Sequence, residues 1–125
     1  MILDTNALSA LATRDRDLIR ILPKARNVSV TVITLGEYEF GIRRSRYKKE
    51  LSTWLEVFLG RAQVLFLDLQ TLACYADIRS ELKEAGTPIP ANDCWIAALA
   101  RQHHMPVLTR DHHFEHVKDL DRLTW

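Results

Sequence analysis

Four acidic residues stand where an apolar run gives way to a turn or a helix start. Asp4 follows Met1-Ile2-Leu3, and Glu37 comes shortly after the β-branched run Val28-Ser29-Val30-Thr31-Val32. Asp93 opens the apolar stretch that runs from Cys94 to His104, and Asp111 comes just after Val107-Leu108-Thr109. Small polar residues accompany them: Thr5 and Asn6 after Asp4, Asn92 before Asp93, Thr109 before Asp111. Each acid has an ordinary use. Asp4, Asp111 and Asn92 or Asp93 suit helix N-caps, worth about 1 kcal/mol each, and Thr34 with Glu37 matches the capping-box spacing. Yet Ser or Thr would also cap, and Asp is used at three of these four turns. Carboxylates gathered about 5 Å apart repel by about 3 kcal/mol per pair at an effective dielectric of about 20. Such a cluster needs a cation or shifted pKa values.

Oxygen ligands without patterned Cys or His suit a hard ion, Mg²⁺ or Mn²⁺. An ion of that kind lowers the pKa of bound water and neutralises a phosphate, which suits phosphodiester hydrolysis. Asp4, Asp93 and Asp111 are the candidate ligands and Glu37 is the fourth acid. Thr5, Asn6, Asn92 and Thr109 are the polar neighbours that would orient water or the acids. One ion or two are both compatible with this pattern.

Only a fold that brings positions 4, 37, 93 and 111 together makes the pattern meaningful. Strands are expected at 2–4, 28–32, 64–67 and 106–109, with an edge strand at 122–125. Helices are expected at 7–12, at 15–22 (stopping before Pro23), at 35–44 and at 71–85, the last ended by Gly86. Leu51, Trp54, Leu55, Phe58 and Leu59 trace an amphipathic helix whose stripe reads as core. Asn92 or Asp93 opens a buried helix to about His104, and a small helix follows Asp111. Strands alternating with helices imply a three-layer α/β/α sandwich with a central, mostly parallel sheet. In such a sheet the strand-to-helix turns share one edge, where ligands bind. The first strand is short enough to fray.

The 125 residues suit a single domain spanning 1–125, with 47% apolar and 26% charged residues. A net charge of +1 provides no global field for a polyanion, so any such partner needs a local patch or a metal. Cys74 and Cys94 are expected to be reduced core residues of a cytoplasmic chain. No apolar run approaches the ~20 residues that span a bilayer, and no secretory leader is expected. Asp4-Thr5-Asn6 is not the Asp-x-Asp of aspartyl-phosphate enzymes, and the phosphate loop of NTPases is absent.

The ordered motifs resemble those of PIN-domain ribonucleases, specifically the VapC-like toxins of bacterial and archaeal toxin–antitoxin pairs. The resemblance rests on Leu3-Asp4-Thr5-Asn6, on Val32-Ile33-Thr34-Leu35-Gly36-Glu37 with Gly41, on Pro90-Ala91-Asn92-Asp93-Cys94-Trp95-Ile96-Ala97-Ala98, and on Leu108-Thr109-Arg110-Asp111-His112-His113-Phe114. It covers nearly the whole chain. It implies a PIN-like fold and a Mg²⁺- or Mn²⁺-dependent endoribonuclease. Asp4, Glu37, Asp93 and Asp111 would form its acidic pocket. It also implies a homodimer blocked by a cognate antitoxin whose tail occupies the cleft. Arg110 departs from the Asn common at that position. It would pair with Asp111 and weaken the metal site, or reach a phosphate.

Other stretches are weaker. Arg43, Arg44, Arg46, Tyr47 and Lys48, with Lys49, pack cations around one aromatic and would track an RNA backbone; a solvated helix end reads the same way. His112 and His116 are spaced for one face, but no third patterned ligand supports zinc; the histidines read more simply as surface residues, with His112 or His113 able to touch substrate beside Asp111. Two rivals stand beside the ribonuclease. One is a structure-specific DNA nuclease on the same site. The other is a non-catalytic binding module in which the acids only cap helices.

Overall fold

The computed structural model describes residues 1–22 and 27–125. Five short strands form one sheet: β1 (Ile2–Leu3), β2 (Ser29–Thr31), β3 (Gln63–Leu65), β4 (Val107–Leu108) and β5 (Arg122–Leu123). Their order is β3-β2-β1-β4-β5, and every neighbouring pair is parallel. The helices are α1 (Thr5–Ala12), α2 (Arg16–Ile21), α3 (Val32–Arg43), α4 (Lys48–Leu59), α5 (Leu69–Glu84) and α6 (Ala91–His103), with a 3₁₀ turn at His112–His116. Pro23, expected to stop the second helix, lies outside the described residues.

Alternation along two-residue strands divides the core. Ile2 and Val107 face α5 and α6, packing with Ile78, Leu82, Ile96 and Leu99. Leu3, Val30 and Leu108 face the other side, with Leu8, Leu18, Tyr38, Ile42 and Leu55 from α1 to α4. Both faces of the sheet are therefore covered, as an all-parallel sheet requires. This is the expected three-layer sandwich.

The expectation of a frayed first strand is overturned. Ile2 and Leu3 are fully buried at the centre of the sheet, paired with β2 on one side and β4 on the other. Brevity does not loosen a strand hydrogen-bonded on both edges.

Helices α1 and α5 begin at Thr5 and Leu69, each two residues before expectation, and the starts of α3 and α6 differ for identifiable reasons. Helix α3 begins at Val32, because the Thr31 hydroxyl accepts from the Thr34 amide at 3.0 Å and caps it. Its β-branched first turn looked like more strand, but packing overrides propensity here. Helix α6 begins at Ala91 behind Pro90 with no side-chain cap, so neither Asn92 nor Asp93 opens it. The third strand ends at Leu65, and Phe66 and Leu67 project into solvent. Gly86 terminates α5 as expected, at φ +70°. Cys94 is buried and Cys74 half-buried, both free thiols. No helix among the described residues is long and apolar enough to cross a membrane.

Candidate active site

Asp4 leaves the carboxyl end of the central strand β1, and Asp111 follows its neighbour β4. Glu37 rides on the second turn of α3, which starts directly after β2. Asp93 occupies the first turn of α6, entered from a proline loop rather than from a strand. These elements converge on one edge of the sheet. There Asp4, Thr5, Asn6, Glu37, Asp93 and Asp111, with Ile96, line a cavity of about 280 Å³. The structure thus brings all four acids together with Thr5 and Asn6.

The capping alternative divides them. Asp4 does cap α1, with Oδ1 accepting from the Ala7 amide at 2.7 Å. Asp111 caps the 3₁₀ turn, accepting from the His113 amide at 2.9 Å. Glu37 and Asp93 cap nothing. Glu37 is held from both sides: Thr5 Oγ1 donates to its Oε2, and Asn92 Nδ2 donates to its Oε1 at 2.9 Å. The capping box expected with Thr34 does not form, since Thr34 itself is the residue capped by Thr31. Thr109 is buried; its hydroxyl donates to Asp4 Oδ2 and accepts from the Asp111 amide at 2.8 Å. Asn6 is exposed and makes no side-chain hydrogen bond among the described residues.

Asp4 is only 4% exposed. Desolvation pushes its carboxyl above the ordinary value of 3.8, and the nearby Asp111 and Asp93 push the same way. The Thr109 hydroxyl and Ala7 amide pull it down. Asp93 is likewise raised, first by desolvation and then by Asp111 and Glu37, against the opposing pull of His113.

His113 joins this cluster. Its Nδ1 lies 3.0 Å from Asp93 Oδ2 and 3.1 Å from Asp111 Oδ1. Among the described residues, the compact set of possible metal donors is Asp93, Asp111 and His113, with ligand atoms all within 4.8 Å of one another. Asp4 lines the cavity but stands outside that set, its two oxygens already engaged by Ala7 and Thr109. Two carboxylates and an imidazole, with desolvated acids behind them, fit a divalent cation. The sequence signal for His113 was its place two residues after Asp111. The spacing of His112 and His116 instead drew attention to zinc, and those two histidines form no such set. His112 pairs with Glu115 at 2.8 Å.

Arg110 does not pair with Asp111. Its Nε donates to the Trp125 carbonyl at 3.1 Å, its guanidinium lies 4.4 Å from the centre of the Trp125 ring, and it reaches Asp15 at 3.7 Å. The basic stretch lies at the α3–α4 junction and none of it lines the acidic cavity. Arg43 pairs with Glu39 at 2.8 Å, and Arg44 sits over Phe40. Arg46, Tyr47 and Lys48 are exposed. A second groove of about 290 Å³ shares Thr5 and Glu37 with the cavity and extends past Ser9, Gly41 and Leu51 to Ser45.

A family model described as the PIN domain matches residues 1–120. The chain belongs to the PIN-domain family. It is similar to the VapC ribonuclease Y4jK of Sinorhizobium fredii, at 32% identity over 89% of this chain and 86% of that one. Its fold is similar to the crystal structure of DNA-bound VapBC from Salmonella typhimurium, with a TM-score of 0.89 at 26% identity, covering 99% of this chain and 96% of that one. It is also similar to VapBC-5 of Mycobacterium tuberculosis, a member of the VapBC family of toxin–antitoxin systems. There the TM-score is 0.75 at 26% identity, covering 98% and 94% of the two chains.

Proposed function

We propose that this chain is a VapC-type endoribonuclease, the toxin of a toxin–antitoxin pair, acting as one PIN-like domain over residues 1–125 in the cytoplasm. The observation that carries the reading is the convergence of Asp4, Glu37, Asp93 and Asp111 on one cavity at the carboxyl edge of the sheet. Family membership supplies the reaction class.

Mg²⁺ or Mn²⁺ is the proposed cofactor, held by Asp93, Asp111 and His113 with Asp4 behind them. When bound, the ion neutralises charge at the scissile phosphate and acidifies the attacking water. The protein supplies the rest. Thr109 fixes Asp4 against rotation and ties it to the amide of Asp111. Thr5 and Asn92 each use one lone pair on Glu37, so each Glu37 oxygen keeps another for a water. Glu37 is therefore the group placed to orient that water and take its proton. Burial of Asp4 and partial burial of Asp93 desolvate these carboxylates, so their charges act more strongly than in water.

The antitoxin is the proposed partner in the groove lined by Thr5, Ser9, Gly41 and Leu51, because an occupant there would cover Glu37. A homodimer is the proposed assembly. It is supported by an apolar cluster in one short stretch, with Phe66 68%, Leu69 83% and Leu72 48% exposed.

Matched RNA and DNA oligonucleotides, incubated with Mn²⁺ and with EDTA, test the reading. RNA is cut only with metal, and DNA is spared. Equal cutting in EDTA removes the metal from the account. Preferential cutting of DNA replaces the ribonuclease with a DNA nuclease.

A further inference from the structure

Helix α6 separates two cavities on adjoining faces of its first turn. Asp93 lines the acidic one, while Cys94, the next residue, lines another of about 350 Å³. The second is walled by Leu82, Pro88 and Ile89 and rimmed by Arg79 and Lys83. Both cations are exposed, and neither is paired with a carboxylate among the described residues.

Arg79 is also part of a stack. Trp95 and Tyr75 lie face to face with centroids 3.6 Å apart. The Arg79 guanidinium sits over the other ring of the pair, 5.7 Å from the Tyr75 centroid, and donates to the Tyr75 hydroxyl at 2.9 Å. Tyr75, Arg79 and Lys83 recur at i, i+4 and i+8, so they form one stripe along α5. Arg79 thus sits at the hydroxyl edge of the Trp95–Tyr75 stack and lines an apolar hollow.

We propose that this hollow is a nucleotide subsite for single-stranded RNA flanking the scissile bond. Unstacked bases are recognised by aromatic rings and arginine planes, and phosphates by lysine and arginine. One base enters between Arg79 and the Pro88–Ile89 wall, and Lys83 meets a phosphate. Asp93 and Cys94, successive residues of α6, line the two cavities, so neighbouring nucleotides of one strand reach both. Among the described residues no lysine or arginine lines the acidic cavity, and this rim supplies the cations a polyanionic substrate needs. The inference rests on the ribonuclease reading for its substrate.

The test uses Arg79→Glu/Lys83→Glu in the full chain, with Arg20→Glu on α2 as a charge control. RNA binding is measured in EDTA by fluorescence anisotropy, and KM and kcat are measured with Mn²⁺ on a long RNA and on a dinucleotide. The double variant binds long RNA about tenfold more weakly, with a smaller salt dependence. Its KM rises by a similar factor, kcat is unchanged, and the dinucleotide is cut as by wild type. Equal RNA binding by variant and wild type overturns the subsite, as does a loss confined to kcat or shared by the dinucleotide. Unchanged RNA binding with lost inhibition by a partner protein also overturns it, making the hollow a protein interface. A wild type that binds RNA through Arg79 and Lys83 but never cleaves it overturns the ribonuclease reading and leaves the subsite standing. Melting temperatures within a few degrees of wild type confirm that the exposed substitutions leave the fold intact.

Discussion

Thr109 and Asp4 are 105 residues apart in sequence, yet the threonine hydroxyl donates directly to the aspartate carboxylate inside the protein. This bond joins the ends of two neighbouring strands and holds down the pKa that burial raises. Thr109→Val keeps the shape and removes the donor. The Asp4 carboxyl then ionises at higher pH, so the acid limb of a kcat-against-pH profile moves upward and activity on that limb falls. Thr109→Ser restores most of both. An unmoved acid limb in Thr109→Val would show that Asp4 does not titrate within the reaction.

The same burial gives a stability prediction. Asp4 and Asp93 have folded-state pKa values above the ordinary 3.8. The native chain therefore holds protons that the unfolded chain has released. Their stabilising contribution is complete below the ordinary carboxylate range and is lost as the pH rises through the raised values. Asp15, Asp68, Glu81 and Glu115 are shifted downward, and theirs is lost as the pH falls. In EDTA, as the pH rises from the ordinary carboxylate value through the raised ones, stability declines less steeply for Asp4→Asn than for wild type, and saturating Mn²⁺ flattens the wild-type decline. Parallel declines for the two proteins contradict this.

Arg110 lies over Trp125 and reaches Asp15, turning what looked like an intrusion in the acidic motif into a clasp beside it. Arg110→Ala lowers stability by about 1 kcal/mol, read from urea titration. Lysine restores only part, because it lacks the plane that lies on the indole. RNA KM stays at the wild-type value. A raised KM at unchanged stability would assign Arg110 to a phosphate instead.

Gly41 sits inside α3 with open space where a Cβ would project, and it lines the groove leading from Glu37. A helical glycine costs about 1 kcal/mol relative to alanine, and no contact among the described residues explains it. Gly41→Ala raises stability by about that amount. Gly41→Leu fills the groove floor and weakens inhibition by the antitoxin at least tenfold in a titration of nuclease activity. Wild-type inhibition of the Leu variant would remove the partner from this groove.

The layered fold was legible because its apolar runs are separated by turn residues and helical stripes. All four acids were legible because each follows or opens such a run. What misled was local. Val32 and Ile33 favour strand, but the Thr31 cap starts the helix beneath them. Met1-Ile2-Leu3 looked too short to be secure, since the β2 and β4 pairings that bury it are long-range. His113 was half-seen: its neighbourhood to Asp111 was evident, but its contact with Asp93 depends on where α6 begins. Arg110 could not be placed, because Trp125 and Asp15 meet it only in the folded chain.

Asp4 is the residue on which the assignment of this cavity as the active site depends most directly. The decisive measurement is the rate of RNA cleavage by wild type and by Asp4→Asn at the same Mn²⁺ concentration, with both proteins shown folded by melting. The expected result is a loss of at least about a hundredfold in the variant, which retains or gains stability as its buried charge is removed. Undiminished cleavage by a folded Asp4→Asn protein would contradict the claim that this cavity is the active site.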